Sequence, residues 1–400
     1  MIEREQYLKK IRPFINKDLV KVLTGVRRSG KSVMLKLIQE ELLRQGVNKQ
    51  QFIEFNFEDM RHADILSASA LHDKVSEFIL DNNDKVYLFF DEIQEVKDWE
   101  KAINSFRVEF DCDIYITGSN AKLLSSELAS YLSGRYVEFV IYPFSLEEFA
   151  MSYNKLFPNS SPNDIFKQYL TMGGMPYLSN LQFDVEPSKM YLKDLYSALV
   201  LKDVVKRNNI RDVDLLERII AYVTTNIGTT FSATNISKYF KNEGRVVSPE
   251  TVLNYIRACE SAYLFYRVKR EDIQGKKILS VNEKYYLVDQ GLREAVFGGN
   301  RKDINLMFEN IVYVELLRRG YTITVGKNGT KEIDFIARKQ SEKIYIQVAY
   351  LLASEEVVEH EFSVLESISD NHPKYVISYD EFDMSRNGII HQNIVDFLLC

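Results

Sequence analysis

Apolar residues in the first 150 positions gather in short runs, at about 19–24, 52–57, 86–91, 112–117 and 136–142. Runs of that length predict buried strands of a parallel sheet. Between the first two, Val33 to Leu43 is apolar at helical spacing. The pattern then changes. Residues from about 145 to 228 read as helices, with a break at Gly173-Gly174-Met175-Pro176. Ser145-Leu146-Glu147-Glu148 has the form of a capping box opening the first of them. Lys193–Lys206 mixes apolar and basic positions at helical spacing, as a solvated helix face or a positive strip facing nucleotide or DNA would.

From Phe231 onward, Ser232–Tyr239 and Ser248–Ser261 read as two short helices. Ser248-Pro249-Glu250 starts the second with a cap and a proline at its first position. Strands at about 263–269 and 277–288 follow, with Gly275 at the turn. Two helices and a hairpin make a winged helix. Beyond residue 303 the order is helix (Asn305–Arg319), strand (Lys331–Ala337), strand (Lys343–Ala349), helix (Glu355–Ser367) and strand (Lys374–Ser378). The predicted fold class is α/β. A P-loop parallel-sheet domain at 1–150 precedes a helical lid at 151–228, a winged helix at 229–297 and a small α/β domain at 298–400.

Composition adds little to this division. The 400 residues are ordinary for globular chains, and a net charge of −6 argues against general polyanion binding. Residues 231–280, however, hold nine Lys and Arg against five Asp and Glu. That local basicity fits DNA contact by the winged helix, with the second helix in the major groove and Arg257, Lys269 or Arg270 at phosphates. A packing or protein-contact role fits the same pattern. Cys112, Cys259 and Cys400 are too few and too scattered for a disulfide framework or a zinc site, which suits a reducing cytoplasm. The charged start Met1-Ile2-Glu3-Arg4-Glu5 and the lack of any apolar run near ~18 residues predict neither a signal peptide nor a membrane span.

The chemistry begins at Gly25-Val26-Arg27-Arg28-Ser29-Gly30-Lys31-Ser32, between a predicted strand and a predicted helix. Strand, Gly-x-x-x-x-Gly-Lys-Ser and helix form the P-loop context. Glycines let successive N–H groups face phosphate oxygens, and the helix N-terminus adds partial positive charge. Lys31 is expected at the β- and γ-phosphates of ATP, and the Ser32 hydroxyl on Mg²⁺. Val86-Tyr87-Leu88-Phe89-Phe90-Asp91-Glu92 delivers two acids to a strand's C-terminal end, where open α/β sheets bind ligands. Asp91 is expected to hold Mg²⁺ and Glu92 to polarise the attacking water. The strand Cys112–Thr117 leads to Ser119 and Asn120, candidates to sense the γ-phosphate or to cap a helix over Ala121–Leu128. Arg135, in Ser133-Gly134-Arg135, is a candidate arginine finger or a surface turn residue. A finger acting in trans would require a homo-oligomer.

Taken in order, these motifs resemble the prokaryotic AAA+-like ATPases that carry a C-terminal domain of poorly understood role. The resemblance also rests on Phe90-Asp91-Glu92-Ile93-Gln94 with Trp99, on Tyr142-Pro143-Phe144-Ser145, on Gly173-Gly174-Met175-Pro176, and on Lys284-Tyr285-Tyr286 with Asp289-Gln290-Gly291-Leu292. It implies a five-stranded parallel sheet with the P-loop and sensor strands beside the Walker B strand. It also implies a nucleotide-dependent regulator or a DNA-linked ATPase. The C-terminal order resembles the restriction-endonuclease-like PD-(D/E)XK fold. Asp334 matches that fold's Asp, but Gln347 and Ala349 stand where its Glu and Lys belong. A neutral amide is a poor Mg²⁺ ligand, so no nuclease activity is expected. The expected function is ATP hydrolysis coupled to domain rearrangement, with double-stranded DNA or a nucleoprotein as client. The alternative is a slow ATP-gated switch acting through an unknown protein partner.

Overall fold

A computed structural model describes residues 2–79, 84–121, 132, 134–275, 277–298 and 303–400. The five apolar runs form strands β1 (Val20–Thr24), β2 (Phe52–Asn56), β3 (Val86–Asp91), β4 (Cys112–Thr117) and β5 (Tyr136–Val140). All pair in parallel, in the order β2-β3-β4-β1-β5. The order corrects one expectation. The strand leading into the P-loop is not beside β3, because β4 lies between them. Burial gives the reason. Every residue of β1 and β3 is buried, as is β4 from Asp113 to Thr117. Such runs need cover on both faces and neighbours on both sides, so they take the interior positions. The half-exposed β2 and β5 take the edges.

The core beside this sheet is built from Ile53, Phe55, Leu88, Phe90, Ile103, Phe106, Ile114 and Ile116. Phe55 stacks on Phe90 with ring centroids 5.9 Å apart. These residues belong to a compact unit of residues 1–142 with 261–263; residues 143–260 and 264–400 form a second.

At the N-terminal ends of β1 and β4 the sheet buries an ion pair, Lys21 with Asp113, neither more than 1% exposed. Asp113 Oδ2 also accepts from the Tyr115 hydroxyl at 2.8 Å and from the Asn16 N–H at 2.9 Å. The Lys21 ammonium donates to the Lys17 carbonyl at 3.0 Å. Burial lowers the Lys21 pKa from the ordinary lysine value, against the pull of Asp113.

The second unit opens with the expected capping box. Ser145 Oγ accepts from the Glu148 N–H at 3.1 Å, and Glu148 Oε2 accepts from the Ser145 N–H at 3.0 Å. Helices Leu146–Tyr153, Pro162–Met172, Val185–Ala198 and Val213–Thr225 follow, with a π-helical stretch at Leu199–Lys206. Helices Ala233–Asn242 and Pro249–Ser261 then lead into the hairpin β6 (Phe265–Asp272) and β7 (Lys277–Leu287). After helices Gln290–Phe297 and Ile304–Arg318 come β8 (Thr322–Asn328), β9 (Lys331–Lys339), β10 (Glu342–Val348), β11 (Lys374–Ser378) and β12 (Ile389–Asn393). Helix Glu355–Glu366 joins β10 to β11.

The hairpin is not separate from the C-terminal strands. β6 pairs in parallel with β8, giving one seven-stranded sheet, β12-β11-β10-β9-β8-β6-β7. The Gly173-Gly174 break serves this unit too. Asp289 Oδ2 accepts from the Gly174 N–H at 2.7 Å, and a Cβ on Gly173 would lie 2.1 Å from Asp289 Oδ1. That packing accounts for glycine at one motif and aspartate at the other.

Removing one member of a buried pair strands the other charge, at a cost of about 3–5 kcal/mol. Asp113→Ala is therefore expected to lower the first thermal transition of the full-length protein steeply. The matched apolar pair Lys21→Met with Asp113→Leu is expected to recover most of the loss. Calorimetry of the three proteins checks both.

Candidate active site

Register places the polar ends of three strands at one level of the first sheet. Asn56 lies opposite Asp91 in the β2–β3 ladder, and Phe90 lies opposite Ile116, one step before Asp91 and Thr117. Thr117 also lies opposite Leu23, the residue before Thr24 at the end of β1. The P-loop leaves β1 at this same edge.

Within the loop, Gly25 has φ of 131° and Gly30 φ of 101°, both in the region that side chains avoid. A Cβ on Gly25 would come within 2.3 Å of the Ile141 carbonyl oxygen. Helix Lys31–Arg44 begins directly after Gly30. Val26 and Ser29 are buried, Arg28 and Ser32 are exposed, and Arg27 pairs with Glu58 at 3.1 Å. The Lys31 ammonium, 4% exposed as a residue, donates to the carbonyls of Gly25 and Val26 at 3.1 Å each and lies 3.8 Å from Glu92 Oε1. The Ser29 hydroxyl is fully buried and has no hydrogen-bond partner among the described residues.

The two acids are held by donors from neighbouring strands. Thr117 Oγ1 donates to Asp91 Oδ1 at 2.5 Å and accepts from the Glu92 N–H at 2.9 Å. Asn56 Nδ2 donates to Asp91 Oδ2 at 3.3 Å, and the Ser32 hydroxyl lies close enough to Asp91 to favour its charged form. Burial raises the Asp91 pKa, the Thr117 and Ser32 bonds oppose the rise, and the Glu92 charge adds to it. Glu92 Oε2 accepts from Gln94 Nε2 at 2.5 Å and from Ser119 Oγ at 3.2 Å. Glu92 itself has φ of 55° and ψ of 49°. A left-handed backbone at a non-glycine residue costs about 1–3 kcal/mol and persists where surroundings enforce it. Here Thr117 fixes the strained N–H while two side chains fix the carboxylate.

Of the residues singled out in sequence, the P-loop, Asp91, Glu92 and Ser119 therefore converge. Asn120 is half-buried at the end of the same strand. Arg135 is exposed and enters the sheet through its carbonyl, which accepts from the Val20 N–H at 3.0 Å; among the described residues no hydrogen bond or ion pair joins its side chain to the cluster. The helix expected over Ala121–Leu128 lies outside the described residues after Ala121. Sequence reading missed Thr117, Gln94 and Asn56. The signal for two of them is that β2, β3 and β4 each end in one polar residue at the same register level.

The C-terminal sheet holds a second cluster of acids. Asp334 on β9 faces Gln347 on β10: the Asp334 N–H donates to Gln347 Oε1 at 2.8 Å, and Asp334 Oδ2 accepts from the Val348 N–H at 2.9 Å. Gln347 Nε2 is committed to Glu361 at 2.8 Å. Lys284 from β7 puts its ammonium 3.0 Å from Glu309 and 2.9 Å from Glu332. Burial and the Glu309 charge push the Asp334 pKa well up, against the pull of Lys284. Burial alone would depress Lys284, but Glu309, Asp334 and Glu332 hold its pKa above the usual value. Among the described residues no group of three or more His, Cys, Asp or Glu is placed to hold a metal ion. Of the cations expected at phosphates, Arg270 is bonded to Glu332 at 2.8 Å and is half-buried, while Arg257 and Lys269 are exposed.

Residues 17–150 match the AAA domain family, and residues 163–303 match a domain of unknown function (DUF8612). An uncharacterized protein of Haemophilus influenzae is 38% identical over 400 residues, covering 100% of this chain and 99% of its own. The chain belongs to the same family as that protein. An uncharacterized protein of Methanocaldococcus jannaschii is 28% identical over 392 residues, covering 92% of this chain and 85% of its own. Among solved structures, the Aeropyrum pernix ORC1 protein in complex with DNA has 13% identity and a TM-score of 0.32, covering 74% of this chain and 92% of its own. At that score the likeness supports no argument about activity or partner. The part of the chain that matches the AAA domain family is the part that holds the P-loop, Asp91, Glu92 and Ser119. Among the described residues no helix is long and apolar enough to cross a membrane.

Thr117→Val keeps the shape of the strand end but removes one donor to Asp91 and the acceptor of the Glu92 N–H. Loss of one such preorganised contact is expected to lower ATP turnover about 100-fold. Turnover within about twofold of wild type would show that Thr117 does not set the acids.

Proposed function

We propose that the protein binds ATP with Mg²⁺ and hydrolyses it, and that nucleotide state drives a rearrangement that acts on double-stranded DNA or a nucleoprotein. The observation that carries the first part is the convergence of Lys31, Ser32, Asp91, Glu92 and Thr117 at one sheet edge beside the P-loop. The fit is chemical as well as geometric. Among the described residues the buried Ser29 hydroxyl has no partner, and Gly25, Arg28 and Gly30 take the positive φ values that let a phosphate-binding loop curl. Ser32 and Asp91, whose side chains lie near one another, are the residues that would hold Mg²⁺, together with substrate oxygens and water. The bound ion would supply charge neutralisation at the phosphates.

The roles of the chain's own groups follow from their chemistry. Lys31 would give its charge to the β- and γ-phosphates in exchange for the two carbonyls it contacts. Glu92 would orient the attacking water, with Ser119 and Gln94 setting the carboxylate's direction. Arg135, exposed at the start of β5, would complete a neighbouring molecule's site if the active form is a homo-oligomer.

The DNA client rests on the two helices and hairpin at 233–287 and on the exposed Arg257 and Lys269. We read 229–297 as a winged helix and 298–400 as a restriction-endonuclease-like domain without nuclease activity. The Lys284 ammonium pairs with Glu309 and Glu332, and the Gln347 amide stands beside Asp334 where that fold's nucleases carry a second acid. A second reading, a slow ATP-gated switch acting on a protein partner in the cytoplasm, is favoured by the double hold on Glu92, which restrains the group that hydrolysis needs.

Turnover of ATP with and without double-stranded DNA separates the readings. Wild type is expected to hydrolyse ATP faster with DNA, while Lys31→Ala and Glu92→Gln lose at least about 100-fold. Binding through Lys31 with negligible turnover under both conditions supports the switch. Turnover unchanged in both variants overturns the assignment of the site.

A further inference from the structure

Arg4 is a charged residue that is only 2% exposed. Its guanidinium bridges two carbonyls distant in sequence: Nη1 donates to Ser29 O at 3.0 Å, and Nη2 donates to Tyr142 O at 2.9 Å. It lies over the Tyr7 ring, 4.5 Å from the centroid. The Tyr7 hydroxyl accepts from the Tyr142 N–H at 3.1 Å. The N-terminal segment thus grips both backbone groups of Tyr142. The residue before it supports the other end of the loop, since the Ile141 N–H donates to Thr24 O at 2.8 Å and Ile141 O is the atom that excludes a Cβ at Gly25. Residues 141 and 142 therefore form a wall: the P-loop rests on it directly at Gly25 and through Arg4 at Ser29.

Tyr142 is also where the chain leaves the first compact unit, and Pro143 is the first residue of the second. Pro143 has no N–H and its carbonyl accepts from Arg318 Nη2 at 3.2 Å, so a restraint arriving from the P-loop can enter this connection only through the backbone groups of Tyr142. A planar guanidinium reaches two separated carbonyls with different nitrogens held in one fixed plane, whereas a lysine ammonium offers its donors from a single point and spans a shorter gap.

We propose that Arg4 is a positioning residue that couples the P-loop to the connection at Tyr142–Pro143. The proposal rests on the nucleotide reading above. Phosphate held by the loop's N–H groups fixes the Ser29 peptide, and Arg4 passes that restraint to Tyr142. The coupled element is the carbonyl–guanidinium–carbonyl bridge, and its effect is a difference in the order of residues 140–146 between nucleotide-bound and nucleotide-free protein.

Hydrogen exchange of the full-length protein, followed by mass spectrometry with and without Mg·AMPPNP, tests this. Peptides covering 25–32 and 140–146 are compared in wild type, Arg4→Gln, Arg4→Lys and Lys31→Ala. Wild type is expected to gain protection in both peptides. Arg4→Gln at saturating nucleotide is expected to keep the gain at 25–32 and to lose about tenfold of the exchange slowing at 140–146. Arg4→Lys, reaching one carbonyl, should fall between. A 140–146 response as full in the Arg4 variants as in wild type overturns the coupling. So does a wild type in which only 25–32 responds. If Arg4→Gln fails to fold, Arg4→Lys decides by the same comparison. No response at 25–32 in wild type, matching Lys31→Ala, overturns the nucleotide reading and the coupling with it.

Discussion

Two carboxylates at the end of a fully buried strand set the terms for the first unit. Val86 to Phe90 are all buried, so Asp91 and Glu92 emerge where water is scarce and charge is costly. Neighbouring strands must then bring donors to the same level. Parallel pairing in register does so, since Asn56 and Thr117 end the flanking strands there and the P-loop brings Lys31 and Ser32 across. The strand order follows from the same demand. β4 must lie beside β3 for Thr117 to reach both Asp91 and the Glu92 N–H, which leaves β1 one place further along.

The second unit solves a similar problem differently. Glu309, Glu332 and Asp334 also crowd a sheet face, and there the Lys284 ammonium sits at ion-pair distance from both glutamates, closer than Lys31 does to Glu92. Lys284 lies on β7, and β6 pairs directly with β8, so the hairpin and the C-terminal strands are joined by both backbone and charge. Tyr286 adds its hydroxyl to Glu309 from the same strand. This accounts physically for Lys284-Tyr285-Tyr286 as a motif: alternate residues of one strand face the same acid. It also separates the two clusters in kind. Among the described residues the Ser29 hydroxyl beside the first cluster has no partner, whereas Glu361 and Glu309 in the second are met by Gln347, Lys284 and Tyr286.

Much of this was legible in the sequence because the signals were local. Uniformly apolar runs marked β1 to β5, and Gly-x-x-x-x-Gly-Lys-Ser between a strand and a helix marked the loop. Helix starts at Ser145 and Pro249 were marked by their caps. What could not be read depended on register or distant contact. Thr117 reads as the last residue of a strand, since nothing along the chain ties it to Asp91. In sequence Arg4 stands only as part of a charged N-terminal segment, because its partners lie 25 and 138 residues away. The joining of β6 to β8 was hidden for the same reason: a parallel pair with a long connection leaves no turn signature. Arg270 looked available to phosphates until its distant partner Glu332 was in view.

The central claim is that Asp91 and Ser32 form the seat of a magnesium ion shared with bound nucleotide. The most direct measurement is the affinity for a fluorescent ATP analogue, with Mg²⁺ and with chelator, in wild type and Asp91→Asn. The account predicts that Mg²⁺ tightens wild-type binding by at least about tenfold and leaves the variant nearly unchanged. Equal tightening in both proteins would contradict it.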